Sequence, residues 1–323
     1  MHLGIFAALD YHPGLSGTPA AFFRRILLRA EQAEGLALES FWVSEHHFST
    51  YGLGPDPAVL LTAIAEHTRQ LRLGTAVATL PFHHPLRVAE TFAMVDQLSG
   101  GRLEFGVGSG YLAHEFDGFN IPAAEARPRL DEALEIVRLA WSGQAIHYKG
   151  TFFRFDAPPL NLLPTQRGGP PIHLAVTRPT SAAFVGRRGF NIAHIPYIGQ
   201  SSLEGLRSMI ATYRAALPSP AQVSVACHAF CGEQPWNGPG DPAYEEAERA
   251  LDLYLRTRVV PGARYEGKPI SSDFMLFGDV AQWQHYLEAF EQMGVDRLLL
   301  ITDFGGLPEA TVHPSLERLV NVR

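Results

Sequence analysis

Ser44, Glu45, His46 and His47 follow directly on the apolar run Phe41-Trp42-Val43. A short buried strand ending in four polar residues delivers titratable groups to one rim of a sheet. Successive side chains alternate along a strand, so the two imidazoles are expected to point opposite ways, one into a cavity and one outward. An imidazole facing a cavity can hold or move a proton near neutral pH, so one of the two is a candidate for catalysis, and alternation alone leaves open which. Taken alone, the pair is equally a solvated strand end; the other clusters shift the balance. Pro81 to His84, Gly106-Val107-Gly108-Ser109-Gly110, Thr177-Arg178-Pro179-Thr180-Ser181 and Thr302 to Gly306 each follow an apolar run as well. Alternating glycines let a flat or phosphorylated ligand approach the backbone, although taken alone they read better as a tight turn, and the dinucleotide pattern is absent. Pro179 suits the first turn of a helix. The hydroxyls of Thr177, Thr180 and Ser181 beside it, with the helix amides, suit a phosphate; simple capping is the other reading. Arg178 either adds charge there or is a solvated surface residue. Phe6, Phe48, Phe82, Tyr111 and Phe116 fall near these clusters and are candidates to wall an apolar pocket, with plain packing as the alternative.

The elements that must position these residues are legible as alternating runs. Apolar segments at Leu3–Leu9, Ser40–Ser44, Leu71–Thr79, Arg102–Gly108, Ile172–Val176, Asn191–Ile195, Val223–Phe230 and Arg297–Thr302 predict strands. Between them apolar residues recur at helical spacing, as in Phe22, Ile26, Ala30, Ala33 and Ala37, or Val88, Phe92, Val95 and Leu98. Asp56-Pro57 reads as a helix start and Gly100-Gly101 as a helix stop. Strands that are continuous apolar runs, each followed by a helix, predict a parallel sheet covered on its outer face. Eight such units point to a single (β/α)8 TIM barrel, class α/β, forming one domain over 1–323. Two insertions interrupt it, at about 143–171 before the fifth strand and about 258–278 before the eighth. The first, with Tyr148, Phe152, Phe153 and Phe155, reads as a small hairpin and an ordered loop; a helix is expected over about Asp241–Thr257. In such a barrel all the polar clusters named above open on one mouth, at the C-terminal ends of the strands.

Composition narrows the class. A net charge of −7 without a Lys/Arg run speaks against a nucleic-acid partner. No apolar run is long enough to span a bilayer and the first residues carry no basic signal-peptide region, so a soluble cytoplasmic protein is expected. The two cysteines, Cys227 and Cys231, read as ordinary core thiols.

Three blocks together carry a family resemblance: Trp42-Val43-Ser44-Glu45-His46-His47-Phe48, Leu73 to Pro85 with Arg87 and Ala89-Glu90, and Asp96 to Gly110. Glu115 to Phe119, Gly169 to His173 and Thr177 to Ser181 continue the order. The chain resembles the bacterial luciferase-like monooxygenases, the flavin-dependent superfamily that includes alkanal monooxygenase. The resemblance implies a (β/α)8 barrel binding reduced FMN, or a deazaflavin in a sister branch, at the mouth. It implies activation of O2 as a flavin C4a-hydroperoxide and oxygenation of a small organic aldehyde- or ketone-like substrate. His46 matches the histidine beside that intermediate. Thr177 and Thr180 match hydroxyls that hold the flavin phosphate, with Ser181 as neighbour, and Ala76-Val77 matches a cis peptide supporting the flavin ring. A separate flavin reductase and a homodimer are further implications. Gly108 and Ser109 stand where luciferase itself has a cysteine and an arginine, so phosphate charge would fall to Arg178 and light emission is not expected.

Three other readings remain open on the sequence. They are a deazaflavin-dependent oxidoreductase, a non-catalytic flavin-binding barrel and a metal-dependent barrel hydrolase. Against the last, adjacent histidines cannot easily converge on one metal and no carboxylate is seen at a matching spacing, so no metal is expected.

Overall fold

A computed structural model of the chain describes residues 1–196, 202–257 and 272–322. The strands are β1 (His2–Ala7), β2 (Ser40–Val43), β3 (Arg72–Thr75), β4 (Ala78–Thr79), β5 (Leu103–Gly108), β6 (Ile146–Lys149), β7 (Arg154–Ala157), β8 (Ile172–Ala175), β9 (Asn191–His194), β10 (Val223–Cys231), β11 (Met275–Gly278) and β12 (Arg297–Ile301). Neighbours run β12-β1-β2-β3-β5-β8-β9-β10, and β10 pairs back to β12. These pairings are parallel, so the sheet closes into the expected (β/α)8 barrel with helices between successive strands. β1, β2 and β5 are buried almost throughout, which is why they read as unbroken apolar runs.

Large side chains fill the barrel and dictate glycines opposite them. Trp42 is fully buried, and a Cβ on Gly74 of the adjacent strand would lie 2.1 Å from its indole. The same indole meets the His173 ring edge-on at 5.0 Å and the Arg297 guanidinium at 5.3 Å. Below it, at the N-terminal ends of the strands, Glu104 accepts from His173 at 2.6 Å and from Arg72, and Arg297 lies 3.6 Å away. Arg297 also forks onto Glu39 at 2.7 and 2.8 Å. Burial by itself raises the Glu104 carboxyl. The His173 hydrogen bond and the Arg297 and Arg72 charges outweigh it and hold the group down to about 2.

Several details depart from the sequence reading. The expected third strand, Leu71–Thr79, is two short strands with Ala76 and Val77 between them; both pair with β5. The insertion at 143–171 does contain an antiparallel hairpin, β6–β7, whose Phe155 ring sits 5.2 Å from His84. Of the insertion placed at 258–278, residues 258–271 lie outside those described, whereas Met275–Gly278 is a further strand, parallel to the C-terminal half of β10. The helix expected from Asp241 begins as a 3-10 turn at Pro242–Tyr244 and becomes α-helical at Glu245. Leu98 is 48% exposed rather than part of the core face, because it lies in the last turn of its helix. Gly100 and Gly101 take φ of 66° and 82°, the left-handed conformation that ends that helix. Cys227 and Cys231 are free and buried, and desolvation raises both thiols, Cys231 to about 11. Among the described residues no helix is long and apolar enough to cross a membrane.

Candidate functional site

A cavity of about 220 Å³ opens at the C-terminal ends of the strands. Phe6, Ala226 and Leu299, from β1, β10 and β12, line it; so do His46 and Glu45 beyond β2, and Ala76 and Val77 between β3 and β4. Gly108, Ser109 and Tyr111 at the β5 exit, and Thr177 and Ser181 at the β8 exit, line it too.

His46 is fixed from two sides. Its backbone bridges Gly54, its ring lies 4.6 Å from the Tyr51 ring, and Nδ1 is 3.0 Å from Glu115 Oε1. The same carboxylate oxygen accepts from the His47 amide at 2.9 Å. Glu115 stands in the first turn of the short helix Ala113–Gly118 and is 1% exposed. An ionised carboxylate only accepts, so it selects the tautomer with the proton on Nδ1 and leaves His46 Nε2 with a lone pair. The arrangement gives a cavity-wall imidazole a fixed orientation and a free proton acceptor.

His47 points away, as alternation predicts, although β2 has already ended at Val43. It bonds Glu45 at 3.0 Å and packs edge-on against Phe119 at 4.7 Å. Glu45 also accepts from His83 at 2.7 Å and from the Thr79 amide at 3.1 Å. Burial raises the Glu45 carboxyl, but the His47 and His83 hydrogen bonds and the His83 charge bring it below its ordinary value. Burial by itself lowers the His83 imidazole, but the Glu45 hydrogen bond and the Glu45 and Asp56 charges together outweigh it and raise the group. One expectation needs correction here. A carboxylate does stand with two of the histidines: Glu45, His47 and His83 present ligand-type atoms within 4.8 Å of one another. The sequence hid this because the chain curls back after β3 and brings His83 onto Glu45. Both ring nitrogens already face that carboxylate as donors, so the trio is a closed hydrogen-bond network, and of its members only Glu45 lines the cavity.

The opposite kind of surface, bare backbone, comes from Ala76, Val77 and Gly108. The Ala76–Val77 peptide is cis. A Cβ at Gly108 would lie 2.6 Å from Val77 Cγ2 and 3.5 Å from Ala175 Cβ, so the glycine keeps open a slot that any side chain would fill. His194, 2% exposed, also lines the cavity. Its Nδ1 donates to the Val176 carbonyl at 2.6 Å while Nε2 has no partner. Burial pushes this imidazole down to about 4, so it is neutral at pH 7 and Nε2 is an acceptor waiting for a donor. Thr177 and Ser181 add hydroxyls at the start of the helix Pro179–Arg187. A narrow slot between backbone walls, a buried acceptor and a hydroxyl-lined helix N-terminus fit a planar N–H-bearing ring with an anionic tail, which is the chemistry of a flavin. Gly108→Val is therefore expected to weaken flavin affinity about 10-fold or more with the fold intact, measured by anaerobic titration beside circular dichroism.

Other sequence candidates lie elsewhere. Arg178 and Thr180 are exposed and off the lining, because of the residues at this helix start only Thr177 and Ser181 turn toward the cavity. Phe82 and Phe116 pack on each other at 4.9 Å, and Phe82 stacks on Phe119 at 4.9 Å, forming an aromatic cluster outside the lining. Phe48 is 66% exposed, with φ of 58°, and its ring covers Gly118. Phe6 and Tyr111 do line the cavity. Residues the sequence did not single out are Glu115, Tyr51, His194 and Arg127. Only Glu115 carried a signal, as a member of the Glu115–Phe119 block; its separation of 69 positions from His46 is invisible to local spacing.

The family model described as luciferase-like monooxygenase matches residues 1–235. The chain is similar to the uncharacterized protein y4wF of Sinorhizobium fredii, 41% identical over 97% of this chain and 94% of that one. It is similar to the oxygenase component of the flavin-dependent trigonelline monooxygenase of Acinetobacter baylyi, 31% identical over 52% of this chain and 48% of that protein. It is also similar to the F420-dependent hydroxymycolic acid dehydrogenase of Mycobacterium tuberculosis, 34% identical over 76% and 66%. Among solved structures, monooxygenase RslO1 of Streptomyces bottropensis superposes with a TM-score of 0.87 at 26% identity, covering 99% of this chain and 98% of that one. With a matching model over most of its length, a closed eight-stranded barrel and a cavity at the expected mouth, the chain belongs to the luciferase-like monooxygenase family.

Proposed function

We propose that the protein is the oxygenase component of a two-component flavin system. It takes reduced FMN from a separate reductase and uses O2 to oxygenate a small aldehyde- or ketone-like substrate. The observation that carries this reading is the His46–Glu115 pair in the wall of the cavity that also holds the Gly108 slot. Reduced flavin supplies the electrons that activate O2. The chain supplies the rest. Gly108, Ala76 and Val77 leave room for the ring face, and His194 Nε2 accepts from a ring or substrate N–H or O–H. Phe6 and Leu299 keep the cavity apolar and limit water. His46, its proton held on Nδ1 by Glu115, offers Nε2 as the group that takes up and returns a proton beside the reacting oxygen.

A second reading has its own support in the F420-dependent relative, which is a dehydrogenase. One experiment separates the two. Anaerobic titration with reduced FMN and with a reduced deazaflavin is expected to give tighter binding of FMN. Adding O2 and a panel of aldehydes and ketones should then incorporate one oxygen atom from labelled O2. Tighter deazaflavin binding, with hydride transfer and no label uptake, would overturn the oxygenase reading.

A further inference from the structure

We propose that His83 and Glu45 form a proton path from solvent into the cavity, with His83 as the outer station and Glu45 as the inner one. The inference rests on the flavin and O2 chemistry proposed above, because that chemistry consumes a proton. When reduced flavin enters as its anion, FMNH⁻ + O2 + H⁺ gives FMN + H2O2 in the absence of substrate. With substrate S, FMNH⁻ + O2 + H⁺ + S gives FMN + SO + H2O. His46 takes up and returns a proton, which leaves the count unchanged, and its pair with Glu115 is largely buried. The net proton has to enter from outside.

The route is one hydrogen bond long. His83 Nε2 lies 2.7 Å from Glu45 Oε1, and the two side chains are 33% and 1% exposed. Glu45 lines the cavity and His83 does not. A ring that touches solvent is thus joined directly to a carboxylate in the cavity wall. His83 is held there by the 3-10 turn Leu80–Phe82, whose Leu80 carbonyl accepts from the His83 amide at 3.1 Å. His47 bonds the same Glu45 oxygen at 3.0 Å, but its side chain is 8% exposed and packs among Phe48, Phe82 and Phe119. His114 bonds the His47 carbonyl instead of Glu45, and His84 turns onto Phe155. Two histidines therefore share one carboxylate and differ in access to solvent, which separates a path from a brace.

The charges set the direction. The Glu45 hydrogen bond and the Glu45 and Asp56 charges raise His83, so the ring keeps its proton further into the neutral range than an ordinary histidine. Glu45 lies below its ordinary value, so it rests as the carboxylate and readily gives up a proton placed on it. In the transfer the Nε2–H bond of the imidazolium breaks and an O–H bond forms on Glu45 Oε1. Solvent reprotonates the neutral ring, and Glu45 passes its proton into the cavity and returns to the carboxylate.

The test needs no organic substrate. The full chain, in excess over reduced FMN, is mixed with oxygenated buffer, and flavin reoxidation is followed by stopped-flow absorbance across the neutral pH range. For the unmodified protein the rate should fall as pH rises through the His83 ionisation. His83→Ala should slow reoxidation about 10-fold or more at neutral pH and flatten that dependence. Added imidazole should restore the rate in proportion to its protonated form. His83→Gln, which keeps a hydrogen bond to Glu45 without a titratable proton, should be slow as well and covers the case of an alanine variant that fails to fold. Glu45→Gln should be slow and stay slow in imidazole, and His47→Ala should show no imidazole dependence. In the ligand-free chain, NMR should find the His83 ring titrating above the ordinary histidine value, and closer to it in Glu45→Gln. A full rate in His83→Gln, no rescue of His83→Ala, equal rescue of His47→Ala, or a His83 ring that titrates below the ordinary value overturns the path. Failure of the unmodified chain to bind reduced FMN would defeat the proposed function and the path with it, whereas bound flavin indifferent to His83 defeats the path alone.

Discussion

Replacement of His46 by alanine is expected to cut oxygenated product by roughly 10²–10⁴-fold while flavin affinity changes little. The imidazole contributes a proton acceptor at Nε2 and little of the cavity surface that binds a ring. Electrons delivered to O2 without transfer of oxygen to substrate leave as hydrogen peroxide, so peroxide release per reduced flavin should rise. Glu115→Gln tests the partner. The amide keeps the shape but loses the charge that favours Nδ1–H, so product should fall by a smaller factor, about 10-fold. His47→Ala should behave differently, because His47 bonds Glu45 and packs on Phe119 away from the cavity. It should lose stability without a shift from product to peroxide. Normal coupling in His46→Ala would leave the imidazole without a part in the chemistry, and an identical shift in His47→Ala would remove the distinction between the two rings.

Glu104→Gln is expected to destabilise the fold by about 3–5 kcal/mol, because it strips the buried counter-charge from Arg72 and Arg297 at the closed end of the barrel. The urea midpoint of the variant against the unmodified chain reads this directly. The pH dependence follows from the depressed carboxyl. Its folded value is about 2 against an ordinary 4.5, so its stabilisation is fully present above about pH 4.5. It is lost as pH falls from there toward 2, a contribution of about 3 kcal/mol. The variant should lack this part of the acid sensitivity. Equal stability of the two proteins at pH 7, or equal loss on acidification, would mean that the network does not hold the barrel.

Much of the architecture was legible because a parallel barrel strand is buried on both faces and must be apolar throughout. β1, β2, β5, β10 and β12 announce themselves this way, and polar or glycine-rich residues at their C-terminal ends mark the mouth. β11 was missed for a physical reason as well. It is four residues long, too short for its apolar run to stand out as a strand by itself. The break in the third strand was also hidden from the apolar pattern, since Ala76 and Val77 fit a strand as well as the residues on either side.

The sequence by itself marked the strand ends at which His46, Gly108, Thr177 and Ser181 gather on one rim. It also separated His46 from His47, because side-chain alternation is a local property of extended backbone. Only the tertiary structure decided the partners. Glu115 reaches His46 across 69 positions, His83 returns to Glu45 across 38, and Arg127 joins the cavity through its contact with Phe184 on another helix. Burial supplied the remainder: it makes His194 a neutral acceptor and leaves Arg178 and Phe48 outside, distinctions that depend on neighbours distant in the chain and so leave no pattern in local spacing.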